Sequence, residues 1–513
     1  MTEQAEIGLA GGAGAAPLPS RKWLILVGVT IPSVLGCIDF TIVNTALPAI
    51  GRELDAGVSE LQWVVNGFLL ALSSFMVLAG RAADIYGRRR VLYLGLAGFG
   101  IASLGAGLTT DIAWLIAARV LQGASCAILY TASASIVADA FPDAERGRAL
   151  GLLFGANGVG LAIGPAIGGV LVTRFGWPSI FLVNVPLIVL GFLICAGSLH
   201  ETRGTQSAKL DVAGTILLLI ALPLLVVGIL QGPVWGWAST ATLGVLVGSA
   251  FAFVALVRVE RRADDPILPL HVLATPAFAG SVLATAALAA FYCTVFFLVP
   301  ILLQTVRGLN SETAGLVLLA ATLTVAAASP VAGRLVDRFG ARTVLAAGFM
   351  FFVASAALQA GLSAEGSLGV IVAALLLMGV GWAFILGPST AAAISALPAS
   401  TSGLAVGIAS TIHNLGGAIG LAVSTLLFGQ IGGSILEKVA GRELPSGALA
   451  ESLVSRDHLA ALLGSGEEAT KTLFAQSFAA GLHAAAWFLL ILSLTTLLFV
   501  LRLIPARSPG DTA

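Results

Sequence analysis

Two ionisable residues stand where hydrocarbon-compatible sequence surrounds them. Asp39 interrupts the apolar run 23–48, and Arg119 lies seven residues into the run 112–136. An ionisable group at membrane depth is costly and faces a partner or a watery cavity. A carboxyl so placed can take up and release a proton or cation. It can also pair permanently with a guanidinium and hold two helices together. Counted at 1.5 Å per residue from the same end of their helices, Asp39 is about 14 Å deep and Arg119 about 11 Å. Contact between them is therefore possible. Gln122, three residues beyond Arg119, shares its helix face and can hydrogen-bond along the same route. Asn44, Asn157, Asn184, His413 and Asn414 are further polar groups inside apolar segments, each requiring a partner or water. They are candidates for the lining of a substrate cavity, with Gln122. Phe291 and Tyr292, near Phe296 and Phe297, would add apolar or cation–π surface. Lipid-facing aromatics and helix–helix hydrogen bonds are the competing readings of this second group.

The elements that must carry these residues follow from composition. The 513 residues are 58% hydrophobic and only 10% charged, against about 25% charged in an ordinary soluble domain. Lipid is the solvent that suits such a surface. Apolar runs of spanning length give an all-α polytopic protein with 14 transmembrane helices. These include a fifth at 149–172, a sixth at 178–199, a thirteenth at 403–428 and a last at 479–501. A tight turn near Gly232 and Pro233 divides the seventh, 210–230, from the eighth, 240–257. With the N-terminus inside, 18 Lys/Arg fall in cytoplasmic segments and seven outside. That bias places both termini in the cytoplasm. The 429–478 loop is then external, with six acidic and four basic residues.

Chemistry of other kinds is not expected. Net charge is zero, which argues against a nucleic-acid partner. There is no Gly-rich phosphate loop and no nucleophile–base–acid arrangement. The four Cys sit in apolar runs without metal or disulfide spacing. No cofactor, no metal and no enzymatic activity are expected.

One segment repeats. Gly80, Arg81, Asp84, Gly87, Arg89, Val91 and Leu92 return as Gly333, Arg334, Asp337, Gly340, Arg342, Val344 and Leu345, seven identities in the 13-residue stretch 80–92. Arg88 and Arg90 add positive charge to the first copy. Gly151, Gly160 and Gly164 are echoed by Gly407, Gly416 and Gly420. The division that follows is a flexible cytoplasmic tail (1–22), an N-terminal six-helix bundle (23–199), two inserted helices with linkers (200–275), a C-terminal bundle (276–501) and a cytoplasmic tail (502–513). Parallel-related bundles around a midplane cavity suit alternating access. The duplicated loop is read as a cytoplasmic gate: its Asp can meet the positive N-terminus of a helix from the other half. In the fifth helix, Gly160, Gly164 and Gly168, extended by Gly151 and Gly155, make a strip for close helix approach, and Pro165 should bend it.

The loop 80–92, the stretch Ile38–Pro48, Arg119–Gly123, Gly160–Gly169 and Trp177–Pro186 together resemble the major facilitator superfamily, in particular its 14-helix drug:proton antiporters. Ile38 and Phe68 depart from the Leu and Tyr usual there. The resemblance implies the major facilitator fold, with two six-helix bundles plus two inserted helices. It further implies a proton-coupling role for Arg119 beside Asp39, and a fifth helix whose bend seals and reopens the interface between the bundles. The implied activity is export of amphipathic drugs, dyes or antibiotics in exchange for protons, by a monomer in a bacterial cytoplasmic membrane. The rival is a proton-coupled uptake symporter of the same fold for a small organic solute.

Overall fold

A computed structural model describes residues 19–56, 58–202, 211–263, 266, 270–309, 311–362, 366–398, 401–440 and 467–506. The described residues form helices and short connections. In chain order they are α1 (Pro19–Glu53), α2 (Val58–Tyr86), α3 (Arg88–Leu108), α4 (Ile112–Ala140), α5 (Asp143–Phe175), the turn α6 (Ser179–Leu182) leading into α7 (Asn184–Ser198), α8 (Val212–Trp235), α9 (Thr240–Glu260) and the short α10 (Leu270–Leu273). Then come α11 (Pro276–Ile301, continued by a wider turn Leu302–Val306), α12 (Ser311–Phe339), α13 (Ala341–Ala360), α14 (Leu368–Ser395), α15 (Ser402–Ala440) and α16 (Glu467–Leu503).

Local chemistry explains where these helices begin and end. The Asp111 carboxylate accepts from the amides of Ala113 (2.8 Å) and Trp114 (3.1 Å), capping α4. Asp211, Ser239 and Ser367 cap α8, α9 and α14 in the same way. Gly87 (φ 105°) separates α2 from α3, and Gly340 (φ 80°) separates α12 from α13. Both angles favour a residue without a Cβ, which explains why this glycine survives in both copies of the repeated loop.

Thirteen of the described helical stretches are long and apolar enough to cross a membrane. The chain is thus an all-α, multi-pass membrane protein. The 33-residue α5 lies outside that set, although it packs along α1 and α12. Two expectations need correction. The turn between α8 and α9 falls at Gly236 (φ 86°), because α8 continues through Pro233 to Trp235. The expected external loop 429–478 is helical at both ends, since α15 runs on to Ala440 and α16 begins at Glu467. Its middle, 441–466, and the tails 1–18 and 507–513 lie outside the described residues.

Helices α1–α7 pack mainly among themselves, as do α11–α16. The two sets meet chiefly through α5 against α12 and α2 against α15. The hairpin α8–α9 packs on itself and touches α2 and α15. One apolar core fills the first set and reaches Leu404 to Ala409 of α15, and a second fills the other set around Phe349, Phe352 and Phe478.

Candidate functional site: a buried ion pair and two latches

The first set closes around Asp39. Asp39, Arg119, Gln122 and Ser103 are all 0% exposed. A terminal nitrogen of Arg119, Nη1, forms an ion pair with Asp39 Oδ2 and donates to Gln122 Oε1 at 2.9 Å. Its Nε donates to the Val64 carbonyl of α2 at 3.1 Å. The other carboxylate oxygen, Asp39 Oδ1, accepts from Asn184 Nδ2 of α7 at 2.9 Å, with Gln122 Nε2 at 3.4 Å. Ser103 of α3 completes the cluster, accepting from Gln122 Nε2 at 2.9 Å and Asn184 Nδ2 at 3.3 Å. Five helices therefore converge on one carboxylate. The guanidinium also lies 4.3 Å from the Phe68 ring, where a cation gains from the aromatic face.

Burying a charge is tolerable only when it is paired and its remaining valences are met. Here the other contacts of the carboxylate come from the neutral amides of Asn184 and Gln122. One Arg119 nitrogen, Nη2, is buried without a hydrogen-bond partner, so the guanidinium has donor capacity in reserve. Gln122 and Asn184, expected along a substrate cavity, both hydrogen-bond within this cluster. Ser103 carried no signal of its own in the sequence, being one hydroxyl among small residues.

At the opposite end of α1 and α2, the duplicated loops join the two sets. Asp84, also 0% exposed, accepts from the backbone amides of Gly403 (3.1 Å) and Leu404 (2.8 Å) in the first turn of α15. Asp337 accepts from the amides of Gly147 (3.0 Å) and Arg148 (3.2 Å) near the start of α5. Gly403 and Leu404 stand 256 residues after Gly147 and Arg148, the same offset that relates Gly151 to Gly407. The two latches are one contact made twice. Glycines let the backbones meet: a Cβ on Gly80 would collide with the Gly403 carbonyl, and one on Gly333 with that of Gly147. A carboxylate at a helix N-terminus meets unpaired amides and the positive end of the helix dipole. Arg88 reinforces the first latch alone, donating to Asp84 at 3.0 Å and Ser402 at 2.5 Å and pairing with Asp139. Asp139 was not legible as a partner, because it sits far from the loop in sequence.

The glycine strip of α5 divides its work. Gly151 and Gly155 pack on Ser329 of α12, across the two sets, whereas Gly160, Gly164 and Gly168 pack on Val34, Thr41 and Thr45 of α1 within one set. The strip is therefore only half an interface between sets. The side chain of Pro165 lies outside the described residues, and α5 runs as one helix past it.

The other candidates scatter. Phe291, expected along a cavity, is 0% exposed and stacks on Phe352 of α13 at 4.1 Å. Tyr292 stacks on Trp382 of α14 at 4.2 Å, and its hydroxyl lies 3.2 Å from His413 Nε2. Thr285 Oγ1 sits 2.9 Å from the other ring nitrogen of His413, so this histidine ties α15 to α11. Asn414 donates to Met76 Sδ of α2 at 3.4 Å, and Asn44 is exposed. Asn157 is 3% exposed with neither amide atom hydrogen-bonded, and Trp382 Nε1 is buried without a partner. α5 and α14 touch at Gly151 and Gly387. Asn157 and Trp382 follow that contact by six and five residues in the direction away from the latches, about 9 Å and 7.5 Å along their helices. A buried amide left unpaired is expensive.

A polytopic helical protein with a paired carboxylate at membrane depth and a duplicated, glycine-lined interface belongs to the class of secondary transporters. More narrowly, residues 30–421 match the Major Facilitator Superfamily, and the chain belongs to that family. It is 33% identical over 434 residues to the Tetracenomycin C resistance and export protein of Streptomyces glaucescens, covering 84% of this chain and 80% of that one. It is 35% identical over 408 residues to the Multidrug resistance protein Stp of Mycobacterium tuberculosis (strain CDC 1551 / Oshkosh), covering 78% and 74%. Its fold is similar to the crystal structure of the human organic anion transporter MFSD10 (TETRAN), with a TM-score of 0.60 at 16% identity over 94% of this chain and 100% of that one.

Proposed function

We propose that this chain is a proton-coupled antiporter that exports hydrophobic or amphipathic antibiotic-like molecules by alternating access. The observation that carries this reading is the ion pair of Asp39 and Arg119, closed off inside the first set in a member of this family. Relatives named for drug resistance and export support the direction and the substrate class.

In this reading α1–α7 and α11–α16 are two six-helix bundles, α8 and α9 are inserted between them, and α5 is the fourteenth span. Its 33 residues and its packing along α1 support that. The latch end, which carries Arg81, Arg88, Arg89 and Arg90, is cytoplasmic, and so are both termini. With both latches engaged, the protein is closed towards the cytoplasm. Asp39 takes a proton from outside, where the gradient supplies it. Protonation loosens the pair, the latches release, and the proton leaves inside. Arg119 and the amides of Gln122 and Asn184 hold the carboxyl in place through both states. Substrate lies between the bundles near Asn157, Trp382 and Tyr292, where unpaired polar atoms border stacked rings. Its arrival favours proton loss, the reciprocity that exchange requires. One chain contains the whole apparatus, so a monomer suffices.

The test uses purified protein in vesicles loaded with a pH-sensitive dye. An outward substrate gradient should drive protons inward, and a proton gradient should drive substrate the opposite way. Co-movement of proton and substrate in one direction would overturn antiport in favour of uptake.

A further inference from the structure

A cavity of about 350 Å³ opens beside the first latch, bordered by the end of α2, the connection between α14 and α15, and α10 with the start of α11. Its polar lining is Arg81, His271, Thr275 and Thr401, and its walls include Leu397 and Leu404. Arg81 is only 6% exposed, and its Nε is buried without a hydrogen-bond partner. The obvious counter-ion is already engaged. Asp84, three residues on, gives its oxygens to the amides of Gly403 and Leu404 and to Arg88. A guanidinium nitrogen held out of water without an acceptor is costly, and the guanidinium presents a planar fork that suits phosphate oxygens.

We propose that this cavity is a binding site for a phosphate group, which clamps the first latch by joining Arg81 of α2 to Thr401 and His271 of the other segments. The three segments come from different parts of the chain, so an anion held among them resists separation of α2 from α15. Apolar walls beside the charge fit a phosphate carried on an apolar body, as in an anionic phospholipid headgroup. Free phosphate offers the same oxygens to Arg81. The site is independent of the Asp39 mechanism and stands whichever way substrate moves.

The experiment measures hydrogen exchange at the Gly403 and Leu404 amides, which donate to Asp84 only while the latch is closed. Full-length protein is placed in a phosphate-free maltoside detergent, in that detergent with added phosphatidylglycerol, and in that detergent with inorganic phosphate. Ligand at ten times its Kd should slow exchange about tenfold in the wild type. Slowing with phosphatidylglycerol alone identifies a lipid headgroup, and slowing with inorganic phosphate alone identifies a soluble ligand. Either supports the site. Arg81→Gln should lose the ligand-dependent slowing, while Arg81→Lys, which keeps the charge without the fork, should retain part of it. If Arg81→Gln does not fold, Thr401→Val tests the same cavity and should weaken the response. Equal slowing in wild type and variants, or no slowing from either source, overturns the proposal.

Discussion

The two halves of this chain use one backbone plan and fill it with different chemistry. Gly164 rests on Ile38 and Thr41 of α1, and Gly420 rests on Ala290 of α11. Ile38 and Ala290 are thus counterparts, and the next residues are Asp39 in the first half and Phe291 in the second. The first is the centre of a five-helix polar cluster, whereas the second stacks on Phe352 in an apolar core. The latches differ in the same sense. Asp84 is fully buried and bound to Arg88, but the residue at Arg88's place in the second copy is Ala341. Arg81 is buried beside a cavity, and its counterpart Arg334 is exposed. Duplication preserved the contacts that let two sets of helices meet. At these counterpart positions the first half places a buried ion pair and the second a buried aromatic stack.

The largest effect that can break this comparison is at Asp39. Asp39→Asn keeps the shape of the carboxyl but cannot cycle a proton, so substrate-driven proton flux in vesicles should vanish. It also leaves Arg119 buried without its anion, a loss of about 3–5 kcal/mol for a buried pair. The double variant Asp39→Asn/Arg119→Gln should recover much of the stability, read by thermal unfolding in detergent, and none of the proton flux. Wild-type flux in Asp39→Asn would reduce the cluster to a structural pin and remove the functional distinction between the halves.

Next in size are the latches. Asp84→Asn replaces charge-assisted hydrogen bonds worth about 1.5–3 kcal/mol and weakens the hold on Arg88. Asp337→Asn removes the same kind of bonds, from the amides of Gly147 and Arg148, and should also weaken the closed state. Both should speed exchange of the amides they engage, at Gly403 and Leu404 or at Gly147 and Arg148, and slow transport with little change in membrane insertion. Unchanged exchange and transport in both variants would mean that these contacts do not hold the two sets of helices together.

Which parts were legible in the sequence follows from the kind of signal each residue carries. Asp39 and Arg119 stood out because an ion inside an apolar run is rare, and similar depth made their pairing possible. Gln122 shared a face with Arg119, yet both it and Asn184 were read as cavity lining, because a lone amide in a span does not reveal which helix it meets. Ser103 and Asp139 gave no such signal, since their roles depend on tertiary contact. The latch aspartates were visible as a repeat. The amides that donate to them, at Gly147 and Gly403, were not, because one glycine in a glycine-rich helix is not distinctive. The extensions of α15 to Ala440 and α16 back to Glu467 were missed for a different reason. Gly429, Gln430, Gly432, Gly433 and Ser434 interrupt the apolar run, as do Gln476 and Ser477, so a count of apolar residues stops short of the helix.

The smallest effect sharpens the comparison from the second half. Phe291→Leu keeps an apolar side chain at the counterpart of Asp39 and removes a stacked ring 4.1 Å from Phe352. The aromatic pair is worth about 1 kcal/mol beyond its buried area, so thermal stability should fall slightly. Proton flux per substrate moved should stay at the wild-type ratio, because nothing at this position titrates and the ring stacks on Phe352 in an apolar core. The measurement is the stoichiometry, read as the ratio of dye response to substrate counter-flow, rather than the rate, which a small packing defect can alter by itself. A changed ratio would show that the second half helps to set coupling through its core. The counterpart positions would then share a role that their chemistry hides.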